Sequence, residues 1–328
     1  MTKQNLKLNG PDEQKKLLAA TRDGFGQGLV EAAESDERLI GICADLTESL
    51  KMTEFERRFP KRFVRIGVSE QLLVALGAGF ALAGKIPFVA SFAAFSPGRS
   101  WEQIRTNVCL NGVNLKVVGG HAGLSVGADG ATHQALEDIA LMRCLPNMTV
   151  IVPCDSEQAR RATLALAELD GSAYLRLGRA KTPTLTSADT PFEIGRIQTF
   201  RDGDDTAIVA CGLMVGKSLQ AAEELAAEDG IECSVLNCHT IKPLDDEAVL
   251  SAAEKCGAMV TAEEHQIAGG LGSTVSELLA QNMPVPIEFV GVHDRFGQSG
   301  ESEELLTEYG LTVNDIKSAV RRAIRRKK

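Results

Sequence analysis

Short apolar runs alternate with helical periodicities along most of the chain. Apolar residues recur at helical spacing from Leu17 to Ala33, which predicts a first helix. Buried-strand patterns follow at residues 38–43, 62–67, 86–92, 115–121, 148–154 and 173–178. Helical patterns separate most of them, at residues 70–83, 99–110, 134–144 and 157–169. Strands that alternate with helices predict a mostly parallel sheet with helices on both faces.

The same alternation restarts after a stretch rich in Pro, Thr and Ser. That stretch has no apolar period, so we predict a linker over residues 183–192. Beyond it, strand patterns at 206–211, 232–239, 258–264 and 286–292 alternate with helical patterns at 215–227, 245–256 and 272–280. We therefore expect an α/β fold of two domains, residues 1–182 and 193–328, each a mostly parallel sheet covered by helices.

Composition and charge exclude several classes of function. The net charge of −9 argues against a nucleic-acid or membrane-surface binder, because both need a basic face. The basic run from Arg321 to Lys328 is explained by a last helix whose cations complement its dipole. No apolar segment is long enough to cross a bilayer, and the first residues lack a signal-peptide pattern, so we expect a cytoplasmic protein. The eight cysteines have no CxxC or zinc-ligand spacing, which predicts buried free thiols.

Polar residues follow several predicted strands at the point where each strand ends. Asp45, Glu70, His121 and Arg179 all stand in such positions. Ligands of parallel α/β sheets gather beyond the carboxyl ends of the strands, so this arrangement predicts a small-molecule enzyme. Glu70 taken alone is better explained as a first-turn carboxylate that the helix dipole favours.

A glycine-rich loop lies between two histidines, His121 and His133. Ordering glycines costs conformational entropy, and surface loops of this kind usually bind something. The paired histidines therefore favour a functional loop over a plain surface turn capped by Thr132.

Other motifs are less decisive. The phenylalanines at 88, 92 and 95 suit core packing or an apolar wall for a flat heterocycle equally well. The glycine-rich helix starts at residues 212–218 and 269–273 resemble anion sites, but an ordinary turn and tight packing explain them better.

Together these motifs resemble the transketolase family. From about Thr21 to Lys328 the chain is similar to the pyrimidine-binding and C-terminal domains of transketolase, and to the matching part of deoxyxylulose-phosphate synthase. The marks stand in the same order over nearly the whole chain: Ala44-Asp45-Leu46, Gly67-Val68-Ser69-Glu70-Gln71, Ser91-Phe92 with Phe95, Asp129-Gly130 with Thr132-His133-Gln134, Pro146-Asn147-Met148, Pro153-Cys154-Asp155, Lys242-Pro243-Leu244-Asp245, Glu263-Glu264-His265 and Gly269-Gly270-Leu271-Gly272.

The resemblance implies that thiamine diphosphate is the cofactor. Glu70 matches the glutamate that hydrogen-bonds the aminopyrimidine and favours the imino tautomer, which removes the C2 proton of the thiazolium. Phe92 and Phe95 match the residues that hold the pyrimidine ring. Asp45 and its neighbour Leu46 match a segment near the cofactor.

The resemblance also implies a set of substrate-binding residues. His121 and His133 match histidines of the sugar channel, where imidazoles stabilise oxyanions and move protons. Asp129 matches a residue that contacts a sugar hydroxyl. The acceptor's phosphate is expected at a clamp of three side chains: Arg22, Ser49 and Arg179.

The chain departs from the transketolase pattern in ways that affect both substrate and cofactor. Gly98 replaces a third aromatic of the ring pocket, Ala122-Gly123 replaces Asp-Ser, and Glu48 replaces proline, which leaves the identity of the sugars open. The Gly-Asp-Gly motif that binds the metal and the diphosphate is absent. We therefore expect a split enzyme, in which an N-terminal-half partner subunit holds Mg²⁺ and two copies of each chain form an α2β2 assembly with paired sites.

The expected function is transfer of a two-carbon ketol unit from a ketose phosphate to an aldose phosphate. One alternative is the β subunit of a 2-oxo acid dehydrogenase, although the Asp-Gly-x-Thr-His-Gln loop and the Arg/Ser clamp favour ketol transfer. Another alternative is a non-catalytic scaffold subunit, against which the presence of Glu70, His121 and His133 argues.

Overall fold

A computed structural model of the chain describes residues 6–327. Its α-helices are α1 (Pro11–Lys16), α2 (Thr21–Ser35), α3 (Thr53–Arg58), α4 (Glu70–Leu82), α5 (Trp101–Gln103), α6 (Asp138–Arg143), α7 (Ser156–Glu168), α8 (Met214–Asp229), α9 (Asp246–Cys256), α10 (Leu271–Asn282), α11 (Ser302–Glu308) and α12 (Val313–Arg325). A π-helical segment, Ile104–Leu110, continues α5, and 3₁₀ turns cover Pro60–Arg62 and Leu124–Val126.

The strands form two larger sheets and one small pair. They are β1 (Leu18–Ala19), β2 (Leu39–Cys43), β3 (Phe63–Arg65), β4 (Ile86–Phe92), β5 (Lys116–Gly120), β6 (Met148–Ile151), β7 (Ser172–Arg176), β8 (Thr182–Pro183), β9 (Gln198–Arg201), β10 (Thr206–Ala210), β11 (Cys233–Asn237), β12 (Thr240–Lys242), β13 (Met259–Gln266) and β14 (Ile287–Val292).

The first sheet has the strand order β12-β6-β7-β5-β4-β2-β3. All its neighbours run parallel except β12, which pairs antiparallel with β6. Helices α2 and α7 pack together on one face, and α4 packs on the other face against β4. The carboxyl ends of the parallel strands therefore meet at one edge, where the candidate site lies.

The second sheet has the order β14-β13-β10-β11-β9, and only β9 is antiparallel. One apolar cluster lies on one face of the first sheet, a second lies mostly on the second sheet, and a third joins side chains of both sheets. Helices α8 and α12 cover the second sheet. The predicted fold class, two α/β units with mostly parallel sheets, is confirmed. The domain limits at 182 and 193 stay a prediction.

Most predicted elements are present, with shifted ends. The strand pattern at 86–92 coincides with β4, and the helix predicted over 70–83 ends one residue earlier. The first helix begins at Thr21 rather than at Leu17, because Leu18 and Ala19 pair with β8. The helix predicted over 134–144 covers only α6, because Gly123 donates its N–H to the Ala135 carbonyl and keeps that segment extended. Strand β12 was not predicted.

Seven of the eight cysteines are buried free thiols, and Cys144 is exposed. The last helix forms, and its arginines pair with carboxylates of α8 and β14. The glycine-rich start of α10 is filled by a side chain of the protein itself, because the buried Glu263 carboxyl group accepts the N–H groups of Leu271 (2.7 Å) and Gly272 (2.8 Å). Within residues 6–327, no helix is long and apolar enough to cross a membrane.

A buried ion pair lies where the two sheets meet. Arg176 Nε donates to Asp138 Oδ2 (2.8 Å), and Tyr174 Oη donates to the same oxygen (2.7 Å). The other side of the Arg176 guanidinium donates from Nη2 to the carbonyl of Glu264 on β13 (2.9 Å). Arg176 therefore bonds to both halves of the chain. The positive charge and hydrogen bonds around Asp138 keep its pKa low despite full burial.

We predict that Arg176→Met destabilises the chain by about 3–5 kcal/mol, because Asp138 would remain buried without its cation. Arg322, which pairs with Glu288 at the surface, is the matched control, and Arg322→Met should cost about 1 kcal/mol or less. Urea unfolding followed by circular dichroism measures both variants. Equal urea midpoints for the two variants would contradict the proposed contribution of the buried ion pair to stability.

Candidate active site

The centre of the site is a stacked pair of rings at the ends of β4 and β5. Phe92 is the last residue of β4 and His121 follows β5, and register places Phe92 opposite Gly120. The backbone of His121 turns to a left-handed φ of 53°, and its ring lies on that of Phe92 with 3.8 Å between centroids. The left-handed turn is unusual for a residue with a side chain, so the surrounding contacts must maintain it.

Phe95 and His133 extend this ring cluster. The His133 ring stands edge-on to Phe95, with 5.2 Å between centroids, and edge-on to Phe92 at 6.3 Å. Phe92 is buried, whereas Phe95 and His133 are half-buried. The two predicted histidines and two predicted phenylalanines thus form one cluster, with an apolar wall and two imidazoles.

A cationic group adjoins the His121 ring. Arg22, on the first turn of α2, donates from Nη1 to the Ser49 carbonyl (2.9 Å) and lies 3.2 Å from His121 Nε2. Arg179 donates from Nη1 to the carbonyl of Val126 (2.6 Å), and its charge lowers the pKa of Arg22, which burial lowers most. Two guanidinium groups that repel each other favour an anion between them.

The protonation state of His121 follows from these neighbours. Burial, followed by the charges of Arg22 and Arg179, lowers its pKa to about 3, so the ring is neutral near neutral pH. Arg22 is only a donor, so Nε2 accepts and the ring proton resides on Nδ1. Nδ1 is buried and has no hydrogen-bond partner among the described residues. Since buried polar groups are normally paired, this N–H is available to a ligand.

Glu70 is the first residue of α4 and is buried, with 4% of the residue exposed. Ser91 Oγ donates to Glu70 Oε1 (3.3 Å), so the glutamate lies beside the strand that ends at Phe92. The preceding Ser69 makes no capping hydrogen bond through its side chain. A simple capping role therefore does not account for a carboxylate held inside the protein.

Comparison with known proteins gives a clear answer. Residues 18–184 match the family described as transketolase, pyrimidine binding domain, and residues 195–316 match transketolase, C-terminal domain. The chain belongs to the transketolase family.

Several relatives match this chain over nearly the whole of both lengths. The 6-deoxy-6-sulfo-D-fructose transketolase subunit SqwH of Clostridium sp. (strain MSTE9) is 41% identical, over 98% of this chain and 99% of its own. An apulose-4-phosphate transketolase subunit of Phocaeicola vulgatus is 38% identical, over 91% and 96%. A solved structure described as a split gene transketolase, inactive beta4 tetramer, is 44% identical with a TM-score of 0.89, over 94% of this chain and 99% of that one.

Three residues that the transketolase pattern implied make no side-chain contact with the rings within the described part of the chain: Asp45, Ser49 and Asp129. Asp45 has a left-handed φ of 60° and lies exposed in an open cleft of about 650 Å³ that Glu48 and Arg65 also line, with half-buried Leu46 beside it. Asp129 is exposed and makes no hydrogen bond or ion pair within residues 6–327. Ser49 offers its carbonyl, not its hydroxyl, to Arg22.

The departures from the transketolase pattern have local explanations. A Cβ at Gly98 would lie 2.2 Å from the Ala94 carbonyl oxygen, so this backbone has no room for the third aromatic. A Cβ at Gly123 would lie 2.3 Å from the Glu264 carboxyl carbon. Glu48 lines the open cleft with Asp45, and the structure gives it no contact with Arg22.

Sequence reasoning missed two contributors to the site. Ser91 stands in one of the family motifs, but no role was predicted for it, although a hydroxyl inside the apolar strand at 86–92 was a usable signal. The Val126 carbonyl that accepts the hydrogen bond from Arg179 could not be predicted from the sequence, because every residue has a backbone carbonyl.

The residues present suit the thiamine cofactor that members of this family use. The buried Glu70 side chain, two phenylalanine rings and the unpartnered Nδ1–H of His121 all follow or end strands at the carboxyl edge of the first sheet. Within residues 6–327 no group of three or more His, Cys, Asp or Glu side chains is placed to hold a metal ion.

We predict that His121 stays neutral, with its proton on Nδ1, between about pH 5 and 8. Its lowered pKa means that protonation occurs only in more acidic solution, below the range in which an exposed histidine titrates. Nitrogen-15 spectra of histidine-labelled protein, assigned with His121→Gln, report tautomer and titration together. A titration midpoint near that of an exposed histidine would contradict the assignment.

Proposed function

We propose that this chain is the pyrimidine-binding subunit of a heteromeric transketolase that transfers a two-carbon ketol unit from a ketose to an aldose. The observation that carries the proposal is the buried Glu70 side chain, which is hydrogen-bonded to Ser91, the residue directly before the Phe92 that stacks on His121. Family membership and the names of two full-length relatives, both transketolase subunits, support it.

Glu70 is proposed to hold and pass a proton at the cofactor ring. When bound, thiamine diphosphate supplies the nucleophilic carbon that breaks a carbon–carbon bond beside a carbonyl. Glu70 is buried, and within residues 6–327 its carboxyl group accepts one long hydrogen bond, from Ser91 Oγ (3.3 Å), so it has acceptor capacity left for a ring nitrogen. Phe92 and Phe95 would exclude water and pack against the ring.

The histidines and arginines are proposed to bind the sugar. Neutral His121 would donate from Nδ1 to a substrate oxygen and stabilise negative charge that develops there. His133, half-buried at the rim, would exchange protons with the substrate. Arg22 and Arg179 would bind the anionic end of the sugar, and Asp129 is proposed to contact a hydroxyl.

The substrate is proposed to be a sugar with an anionic terminal group. One relative is named for a sulfosugar and another for a sugar phosphate, and both groups are tetrahedral oxyanions that paired guanidiniums bind. The arginine pair therefore supports the class of substrate, a sugar phosphate or a sulfonated analogue.

The partner is proposed to be an N-terminal-half transketolase subunit that binds Mg²⁺ and the diphosphate. Within residues 6–327 this chain offers no metal cluster, and a β-only relative is described as an inactive tetramer. We infer an α2β2 assembly with cytoplasmic location, in which each site is completed at a subunit interface.

We predict that Glu70→Ala in the reconstituted complex lowers turnover by about 10²-fold or more, because proton transfer at the cofactor fails. Asp246→Ala is the matched control, since Asp246 is an exposed first-turn carboxylate of α9. Release of aldehyde from xylulose 5-phosphate measures the effect, and thermal unfolding confirms that the variant is folded. Near-normal turnover of Glu70→Ala would refute the role.

The same assay separates the alternative chemistries. The partner chain, Mg²⁺ and thiamine diphosphate are supplied with either xylulose 5-phosphate plus an aldose phosphate, or pyruvate plus a lipoyl domain. Ketol transfer between the sugars supports the proposal, whereas activity on pyruvate with the lipoyl domain but not on the sugars indicates a 2-oxo acid dehydrogenase β subunit. Failure with every sugar and with pyruvate would indicate a scaffold subunit.

We predict that Arg179→Gln raises the KM for a phosphorylated substrate about tenfold or more, since it removes a charge-assisted hydrogen bond to the anion. The unphosphorylated sugar is the control substrate, and its KM should change little. Arg321→Gln, on the distant surface of α12, should leave both values unchanged. An equal change for both sugars would contradict the anion-binding role.

A further inference from the structure

The loop that carries both histidines, residues 121–134, is here called the histidine loop. It contains three glycines with left-handed φ values, Gly123 (87°), Gly127 (84°) and Gly130 (76°). Within its own domain, hydrogen bonds hold its backbone: from the Ala122 N–H to the Leu177 carbonyl (3.1 Å), from the Gly123 N–H to the Ala135 carbonyl (2.9 Å) and from Arg179 to the Val126 carbonyl (2.6 Å). A loop so rich in glycine has much conformational entropy to lose, so strong contacts must order it.

The first such contact comes from the C-terminal domain. Glu264, on β13, accepts the backbone N–H of Ser125 at 2.5 Å and is itself only 4% exposed. Its carboxyl group fills the space where Gly123 would carry a side chain, since a Cβ there would lie 2.3 Å from Glu264 Cδ. The glycine that departs from the transketolase pattern is therefore what admits this carboxylate.

The second contact involves Gln134, at the other end of the loop. Its Nε2 donates to the Gly127 carbonyl (3.1 Å) within the loop and to the Gln298 carbonyl (3.0 Å) in the C-terminal domain. Gly297 lies directly behind it, and a Cβ at that position would come within 1.8 Å of Gln134 Oε1. Gln134 is buried, so it has little freedom to withdraw.

A third contact lies between these two. A Cβ at Gly130 would come within 2.6 Å of Ser299 Oγ, and helix α11 packs against the 3₁₀ turn at Leu124–Val126. The histidine loop is thus contacted by β13, by residues 297–299 and by α11.

We propose that the C-terminal domain positions the two histidines, with Glu264 and Gln134 as positioning residues. Glu264 is fixed in turn, because Arg176 donates to its carbonyl while pairing with Asp138. A continuous set of bonds therefore runs from the buried ion pair to the loop. The inference rests on the proposed function for its effect on rate, but its effect on loop order is independent of that function.

Three variants test it. Glu264→Ala leaves the Ser125 N–H without an acceptor, Glu264→Gln restores an acceptor, and Gly297→Ala displaces Gln134. Gly10→Ala is the matched glycine control, because a Cβ there meets nothing within 4 Å. Hydrogen–deuterium exchange of peptides from residues 121–134, in the chain alone and in the complex, measures loop order.

We expect faster exchange of the histidine loop in Glu264→Ala and Gly297→Ala, with protection restored in Glu264→Gln. In the complex, kcat should fall about tenfold or more for the first two, with a smaller change in KM, because misplaced groups impair the reaction more than binding. If Glu264→Ala fails to fold, Gly297→Ala decides the question, since Gly297 lies at the partly exposed surface.

Unchanged exchange in both disruptive variants would overturn the inference, whatever the activity. If exchange of the histidine loop rises but kcat stays unchanged, while Glu70→Ala is inactive in the same preparation, the positioning role is refuted and the proposed function stands. If the unmodified complex transfers no ketol unit, the proposed function fails, and the exchange data alone decide whether the C-terminal domain orders the loop.

Discussion

The stack of His121 on Phe92 is the contact on which the rest of the site depends. The stack forms because β4 and β5 are parallel neighbours in a register that brings Phe92 beside Gly120. The two strands therefore end at the same place at the edge of the sheet. The ring pair sets where the histidine loop begins, and the loop sets where His133 meets Phe95. A shift of one residue in that register would move Phe92 to the opposite face of the sheet.

Strand β4 also explains how one segment serves two purposes. Successive side chains of a strand point to opposite faces, so Ser91 lies on the side of α4 with Val89, and Phe92 on the side of α2 with Phe88. Ser91 reaches Glu70, whereas Phe92 supports His121. The carboxylate and the aromatic wall are thereby held by adjacent residues, which fixes their spacing more firmly than two separate loops would.

Features that depend on local sequence pattern could be predicted from the sequence. Features that depend on contacts between distant residues could not. Strand and helix positions followed from periodicity. The resemblance to the family implied roles for Glu70, Phe92, His121, His133 and the arginines, and those roles stay predictions. The exposed positions of Asp45 and Asp129 could not be predicted from the sequence, because the exposure of a loop side chain depends on how the loop folds against the rest of the protein. Strand β12 was not predicted because three residues carry too weak a pattern, and its pairing with β6 joins residues about ninety positions apart.

Strand β13 shows how a domain without a predicted site residue can still shape the site. Glu263 and Glu264 are neighbours, so their side chains leave opposite faces of the strand. Glu263 accepts two N–H groups at the start of α10, and burial raises its pKa to about 7. Glu264 accepts the Ser125 N–H of the histidine loop. One carboxylate thus holds a helix of its own domain, and the next holds the loop of the other. Because the second contact needs a glycine at 123, the sequence of the loop and the sequence of β13 constrain each other across the domain junction.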